Sequence, residues 1–221
     1  MTAGRRRRPA FASVVLDVDS TVAGVEGIDW LAARRGPEVA REVASLTDRA
    51  MRGAVPLEAV FGLRLERVRP TRDDLAALGR EYVARAAPGA ADAVATLRAA
   101  GVRVVLVSGG LRPALLPLAE SLGIDAADVH GVEVALGGDG DCAGHDSASP
   151  LATAAGKRVV VERLALPRPT LAVGDGATDL AMRPAVDAFA AFTGFVRRAE
   201  VAAAADAELP SFAALLSYVL P

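Results

Sequence analysis

Two aspartates two residues apart, Asp17 and Asp19 in LDVDST, and two more four residues apart, Asp175 and Asp179 in GDGATD, are the residues best placed for chemistry. On a strand, positions i and i+2 project to the same side, so Asp17 and Asp19 share a face. Carboxylates brought together repel, and one is forced neutral unless a cation joins them. An oxygen-rich site of this kind suits Mg²⁺, which takes one or two carboxylates, waters and usually a substrate phosphate. Taken singly, each aspartate reads more simply as a turn former or a helix N-cap. Only as a set do they favour the cation.

Lys157 is the second signal. Of the 25 Lys and Arg residues, one is lysine and 24 are arginine, and the chain has no Asn or Gln. Arginine is the default cation here, and one lysine on a solvated helix face would be a chance survivor. Yet Lys157 opens a helix after TAAG, where a cation is disfavoured by the helix dipole unless an anion sits nearby. Lysine is a compact point charge and arginine a broad planar fork. A site with one positive charge among carboxylates and a phosphoryl group accepts the first and excludes the second by shape.

The elements that must position these residues are legible in the hydrophobic pattern. FASVVLDVD (11–19), VRVVLVSGG (102–110) and PTLAVGDG (169–176) read as buried strands, and AVDAFAAF (185–192) as a fourth. Helical patterns at 89–101, 112–122 and 157–165 alternate with them, which predicts a parallel sheet with helices on both faces. Pro113 suits a first helical turn, whereas Pro117 is expected to kink or delay that helix. Residues 23–85 break the rhythm with helical patterns alone, and VHGVEVALGGDGDCAGHD (129–146) reads as a hairpin around a Gly-Asp turn. The expected fold is α/β: a Rossmann-like core from residues 1–22 and 86–221, with a helical cap at 23–85 inserted after the first strand. Ligands of such sheets gather at the carboxyl ends of the strands. Asp17, Asp19, Ser20 and Thr21 fall there, with Ser108, Gly109 and Gly110, and with Asp175, Thr178 and Asp179.

Composition excludes several classes. A hydrophobic share of 52% with 24% charged residues describes a chain that buries a core. A net charge of −2 and 4% aromatic residues argue against a nucleic-acid partner. Cys142 is the one cysteine, which rules out an internal disulfide and a multi-cysteine metal site. No apolar run reaches about 18 residues, so no membrane span is expected. The opening MTAGRRRRPAF lacks the longer apolar stretch of a signal peptide, and its arginines read as a short basic arm. The expected location is cytoplasmic.

Two other motifs fail. AAGKRV resembles the end of a phosphate-binding loop, but Leu151 stands where the first Gly is required and Arg158 where Ser or Thr should be. DGDCAGHD has Ala143 at the fifth position of a calcium loop and Pro150 at the twelfth. His130 and His145 read as ordinary hairpin residues.

DVDSTV, EGIDWLA, AMRGAVP, RLERV, VLVSGGLR, AAGK and VGDGATD, in that order, closely resemble the phosphoserine phosphatases of the haloacid dehalogenase-like hydrolase superfamily. The resemblance runs from about Ser13 to about Phe192. It implies that Asp17 is the nucleophile, forming an aspartyl-phosphate, and that Asp19 is general acid and then general base. It implies Mg²⁺ held by the side chains of Asp17 and Asp175 and the backbone carbonyl of Asp19. Ser108, the Gly109 amide and Lys157 would hold the phosphoryl oxygens within the Ser108–Gly110 turn, with Thr178 and Asp179 in support. In the cap, Glu26 would receive a substrate ammonium and Arg64 its carboxylate, with Met51 and Arg52 bordering the pocket. The implied partner is a small phosphorylated amino acid, and the implied reaction closes serine biosynthesis. Thr193, Gly194 and Phe195 depart from the Gly-Gly-Asn turn often seen in the family after the last strand. The same machinery acting on another small phosphomonoester or transferring phosphate to another alcohol stays open, as does a non-catalytic binding relative. The oligomeric state, monomer or homodimer, is also open.

Overall fold

The structure of the protein, a computed structural model, describes residues 9–51 and 57–221. The arginine run at 5–8 and Arg52 lie outside the described residues, and so does the side chain of Met51. The chain opens with β1 (Ser13–Leu16) and passes through α1 (Gly27–Arg34), α2 (Pro37–Met51), α3 (Leu57–Val68) and α4 (Arg72–Ala84). It returns through α5 (Ala90–Ala99) to β2 (Arg103–Leu111), followed by α6 (Arg112–Ser121), β3 (Val129–Val132), β4 (Val134–Leu136) and β5 (Cys142–His145). Then come α7 (Gly156–Leu164), β6 (Thr170–Gly174), α8 (Ala177–Leu180), β7 (Ala188–Phe192), α9 (Ala199–Ala204), β8 (Ala207–Leu209) and α10 (Phe212–Val219).

Among the described residues, six strands form one sheet in the order β3-β2-β1-β6-β7-β8, parallel throughout. This is a Rossmann-like α/β fold. β1 lies at its centre, pairing Ser13 with Arg103 on one side and with Thr170 on the other. Its residues alternate between two cores. Val14 and Leu16 join Val94, Leu97, Phe212 and Leu215 from α5 and α10. Val15 joins Val161 of α7, Met182 and Phe189 on the opposite face. Covered on both faces, the strand has no polar side to display, which is why it reads as an unbroken β-branched run.

Helices α1–α4 all lie within residues 23–85. Arg35, just past α1, ties them together: Nε donates to Val68 O at 2.8 Å and Nη2 to Arg69 O at 2.9 Å. It thus satisfies carbonyls that the end of α3 leaves without helical partners. The same guanidinium meets Asp74, which forms a capping box with Thr71 at the start of α4. Helix α4 then docks on α6 of the core. A Cβ at Gly79 would stand 2.8 Å from Pro117 Cγ and 3.3 Å from Ala114 O, so only glycine permits this approach.

Several expectations need correction. Pro117 does not delay its helix: α6 begins at Arg112 and continues past it to Ser121. The proline ring lies against Gly79 of α4. The hairpin is shorter than 129–146, comprising only β4 and β5. Val129–Val132 instead extends the main sheet, pairing parallel with β2, so His130 is a sheet residue. Beyond residue 192, α9, β8 and α10 complete the sheet and cover one face, where Phe11 stacks on Tyr218 with centroids 5.7 Å apart. Among the described residues no helix is long and apolar enough to cross a membrane.

Candidate active site

The ends of β1, β2 and β6 meet beneath α1 and α3. Asp17 follows β1 directly, its amide continuing the ladder to Val173 O at 3.0 Å. The chain then turns sharply through Ser20, whose φ of 54° is left-handed and unusual for a non-glycine residue. Ser20 Oγ donates to Glu26 Oε1 at 2.7 Å, holding the glutamate against the start of α1. Ser108 lies inside β2, where the pairing with β3 shifts register between Val107 and Leu111; it is buried and its Oγ accepts from Gly110 N at 2.9 Å. That leaves the hydroxyl proton to donate elsewhere.

Lys157 lies between two carboxylates, 2.5 Å from Asp17 Oδ1 and 2.6 Å from Asp179 Oδ1, with its side chain 8% exposed. Burial works against its charge, but Asp17 and Asp179 outweigh burial and hold the ammonium above its ordinary value. Asp179 Oδ2 accepts from Gly176 N at 2.9 Å, so both its oxygens are engaged. Asp175 accepts from Arg198 Nε at 2.9 Å and from Thr21 Oγ1 at 3.4 Å.

The carboxyl groups remain short of positive charge. Burial, with Asp179 adding to it, pushes Asp17 well above the usual carboxylate range despite Lys157. Asp175 is raised by burial against the opposing Arg198 bond, and Glu26 by burial against the Ser20 bond. Asp19 is pushed up to about 7, first by burial and then by Glu26, against hydrogen bonds from Tyr82 and the Gly27 amide. Asp17, Asp175 and Asp179 each offer an oxygen, all within 4.8 Å of one another. A buried, oxygen-only cluster in which burial raises Asp17 and Asp175 fits a hard divalent cation.

One cavity of about 260 Å³ is lined by Asp17, Asp19, Glu26, Arg64, Ser108, Gly109, Lys157, Asp175, Thr178 and Asp179. Gly110 does not line it; its amide donates to Ser108 Oγ. Arg64 reaches the cavity from α3, held by Asp29 at 2.7 Å, while its buried Nε has no partner among the described residues. Sequence reasoning missed three contributors: Asp29, Tyr82 and Arg198. Tyr82 OH donates to Asp19 Oδ1 at 2.5 Å from α4. Arg198 lines the cavity beyond β7. Its signal was its place a few residues after a strand that ends at the crown.

Strand-end aspartates on a sheet of this order define the haloacid dehalogenase-like hydrolases, and that family's model matches residues 14–183. The human phosphoserine phosphatase is 37% identical over 92% of this chain and 91% of its own length. The chloroplastic phosphoserine phosphatase of Arabidopsis thaliana is 36% identical over 93% of this chain and 70% of its own. A phosphoserine phosphohydrolase-like protein from Francisella tularensis shares the fold, with a TM-score of 0.80 at 22% identity over 93% of this chain and 98% of its own. The chain belongs to the phosphoserine phosphatase family of that hydrolase class.

Proposed function

We infer that the protein is a Mg²⁺-dependent phosphomonoester hydrolase converting O-phospho-L-serine to L-serine and phosphate through an aspartyl-phosphate. The observation that carries this reading is the buried Asp17–Lys157–Asp179 cluster facing a cavity whose other wall offers Glu26 and Arg64. A carboxylate of Asp17 attacks phosphorus in line with the seryl oxygen. As that P–O bond breaks, the electron pair passes to the seryl oxygen, which takes a proton from Asp19. Asp19, with a pKa of about 7, is poised for both directions of transfer. It then receives a proton from the water that attacks the phospho-Asp17, releasing phosphate and restoring the carboxylate.

Lys157, the Ser108 hydroxyl and the Gly109 amide hold the phosphoryl oxygens, while Asp179 fixes Lys157 and the loop at Gly176. The side chains of Asp17 and Asp175 and the backbone carbonyl of Asp19 would hold Mg²⁺. When bound, the metal supplies positive charge between nucleophile and phosphoryl group. Glu26 receives the substrate ammonium, and the Arg64 guanidinium, which lines the same cavity, receives the carboxylate. Residues 23–85 act as the cap that carries this specificity.

Phosphate release from a panel of small phosphomonoesters, with and without Mg²⁺, tests the reading against Asp17→Asn. Mg²⁺-dependent release from L-phosphoserine, lost in the variant, is the expected result. Release only from other panel members would retain the chemistry and overturn the roles of Glu26 and Arg64.

A further inference from the structure

Tyr82 is one of the largest fully buried side chains of the molecule, and its hydroxyl is spent on one oxygen of Asp19. It comes from α4, 63 residues along the chain. That helix is seated rigidly, because Gly79, one turn earlier, lies against Pro117 and Ala114 of the core helix α6. The hydroxyl also stands where three segments converge. A Cβ at Gly27 would collide with it, and one at Gly110 would stand 3.4 Å from it. Asp19 Oδ2, by contrast, has only a long contact of 3.4 Å from the Gly27 amide. One oxygen of the carboxyl is thus fixed and the other is nearly free.

We propose that Tyr82 is a positioning residue for the reaction: by holding Asp19 Oδ1, it turns Oδ2 toward the leaving oxygen as the atom that delivers the proton. A carboxyl group without this donor rotates about χ2, a broad torsion with no steep preference of its own. Proton delivery needs a hydrogen-bond distance at a defined angle, so lost orientation costs rate at that step. The inference rests on the phosphatase reading above and adds the source of the orientation. It also accounts for glycine at position 27, where any side chain would displace the hydroxyl.

The test separates leaving groups. Seryl oxide is a poor leaving group and needs the proton, whereas p-nitrophenolate departs without one. Because kcat/KM reports steps up to loss of the leaving group, it isolates this role from later hydrolysis of the phospho-enzyme. For Tyr82→Phe, kcat/KM for L-phosphoserine is expected to fall about tenfold, and kcat/KM for p-nitrophenyl phosphate to stay within about twofold. Gly27→Ala, which moves the hydroxyl without removing it, is expected to show the same asymmetry. Equal losses on both substrates, or no loss on either, would overturn the role of Tyr82 while the wild type still releases phosphate. A wild type inactive on both substrates would overturn the function as well.

Discussion

The crown of the sheet and the root of helices α1–α4 each hold a cation against carboxyl groups, with opposite results. At the crown, Lys157 faces Asp17 and Asp179, and the surrounding carboxyl groups of Asp17, Asp19, Asp175 and Glu26 are all raised. At the root, Arg35 meets two backbone carbonyls and Asp74. Burial works to raise Asp74, but the Thr71 amide and hydroxyl and the Arg35 guanidinium outweigh it and hold the carboxyl below its usual range. The root is satisfied internally. The crown is not, and its missing positive charge is what a metal ion supplies. Between two ion-pair clusters in one chain, the direction of the carboxylate shift separates the one built for binding from the one built for folding.

The largest effect should come from breaking the crown at its fixed cation. Lys157→Met leaves Asp17 and Asp179 buried and unpaired, a change that typically costs about 3–5 kcal/mol. Activity on L-phosphoserine is expected to drop at least about a thousandfold. Chemical denaturation and steady-state rates on the same preparation check both. A variant as stable as the wild type would show that the carboxyl groups simply take up protons when the ammonium is gone.

pH sharpens the contrast, because the two regions respond with opposite sign. A carboxyl raised in the folded state holds a proton that the unfolded chain releases, so its stabilising contribution disappears as pH rises through the folded value. For Asp19 that window runs from about pH 4, the ordinary carboxylate value, to about 7. With a chelator present, Tm is therefore expected to fall between pH 5 and 7.5, and Asp19→Asn to flatten the fall. Asp74 is lowered, so its contribution is complete above the ordinary value and is lost as pH drops below about 4. Asp74→Asn should remove part of the acid-side loss and leave the slope near neutrality unchanged. Identical slopes in wild type and both variants would erase the distinction.

The smallest effect belongs to Arg198. Its side chain is 48% exposed and reaches Asp175 at 2.9 Å and Glu26 at 3.9 Å. Arg198 is half exposed whereas Asp175 is buried, so Arg198→Gln unpairs one buried carboxylate from a partly solvated cation and should lower Tm less than Lys157→Met does. The same variant should alter the Mg²⁺ concentration needed for half-maximal activity, because Asp175 loses a competing cation. A drop in stability as large as that of Lys157→Met would place the two cations in the same class.

How far the sequence could be read follows from how each element is buried. β1, β2 and β6 are covered on both faces, so their residue types carried an unmistakable signal, and the aspartates ending them marked the crown. β8 is a three-residue edge strand, too short for any periodicity to register. β3 is four residues long with no regular alternation, Val129 and Val132 buried about a half-buried His130 and Gly131, and nothing local distinguishes pairing with β2 from pairing with β4. Lys157 was legible because it was the only one of its type. Tyr82 was not, since an aromatic residue on the apolar face of a helix reads as packing, and its hydroxyl finds Asp19 only in three dimensions. Asp29 was hidden for the converse reason: an acidic residue in a first helical turn has a sufficient local explanation.

The seat of α4 on α6 bears on how this chain can be recombined. A graft exchanging residues 23–85 for those of a relative would divide Gly79 from Pro117 and part Tyr82 from Asp19. Cutting instead between α3 and α4, at the Arg69–Thr71 turn, keeps both contacts with their original partners and exchanges α1 to α3 together with Glu26 and Arg64, provided the incoming segment supplies Arg35 for Asp74 and a glycine at 27 for Tyr82. The second seam for building chimeras therefore lies between α3 and α4 and not at residue 85.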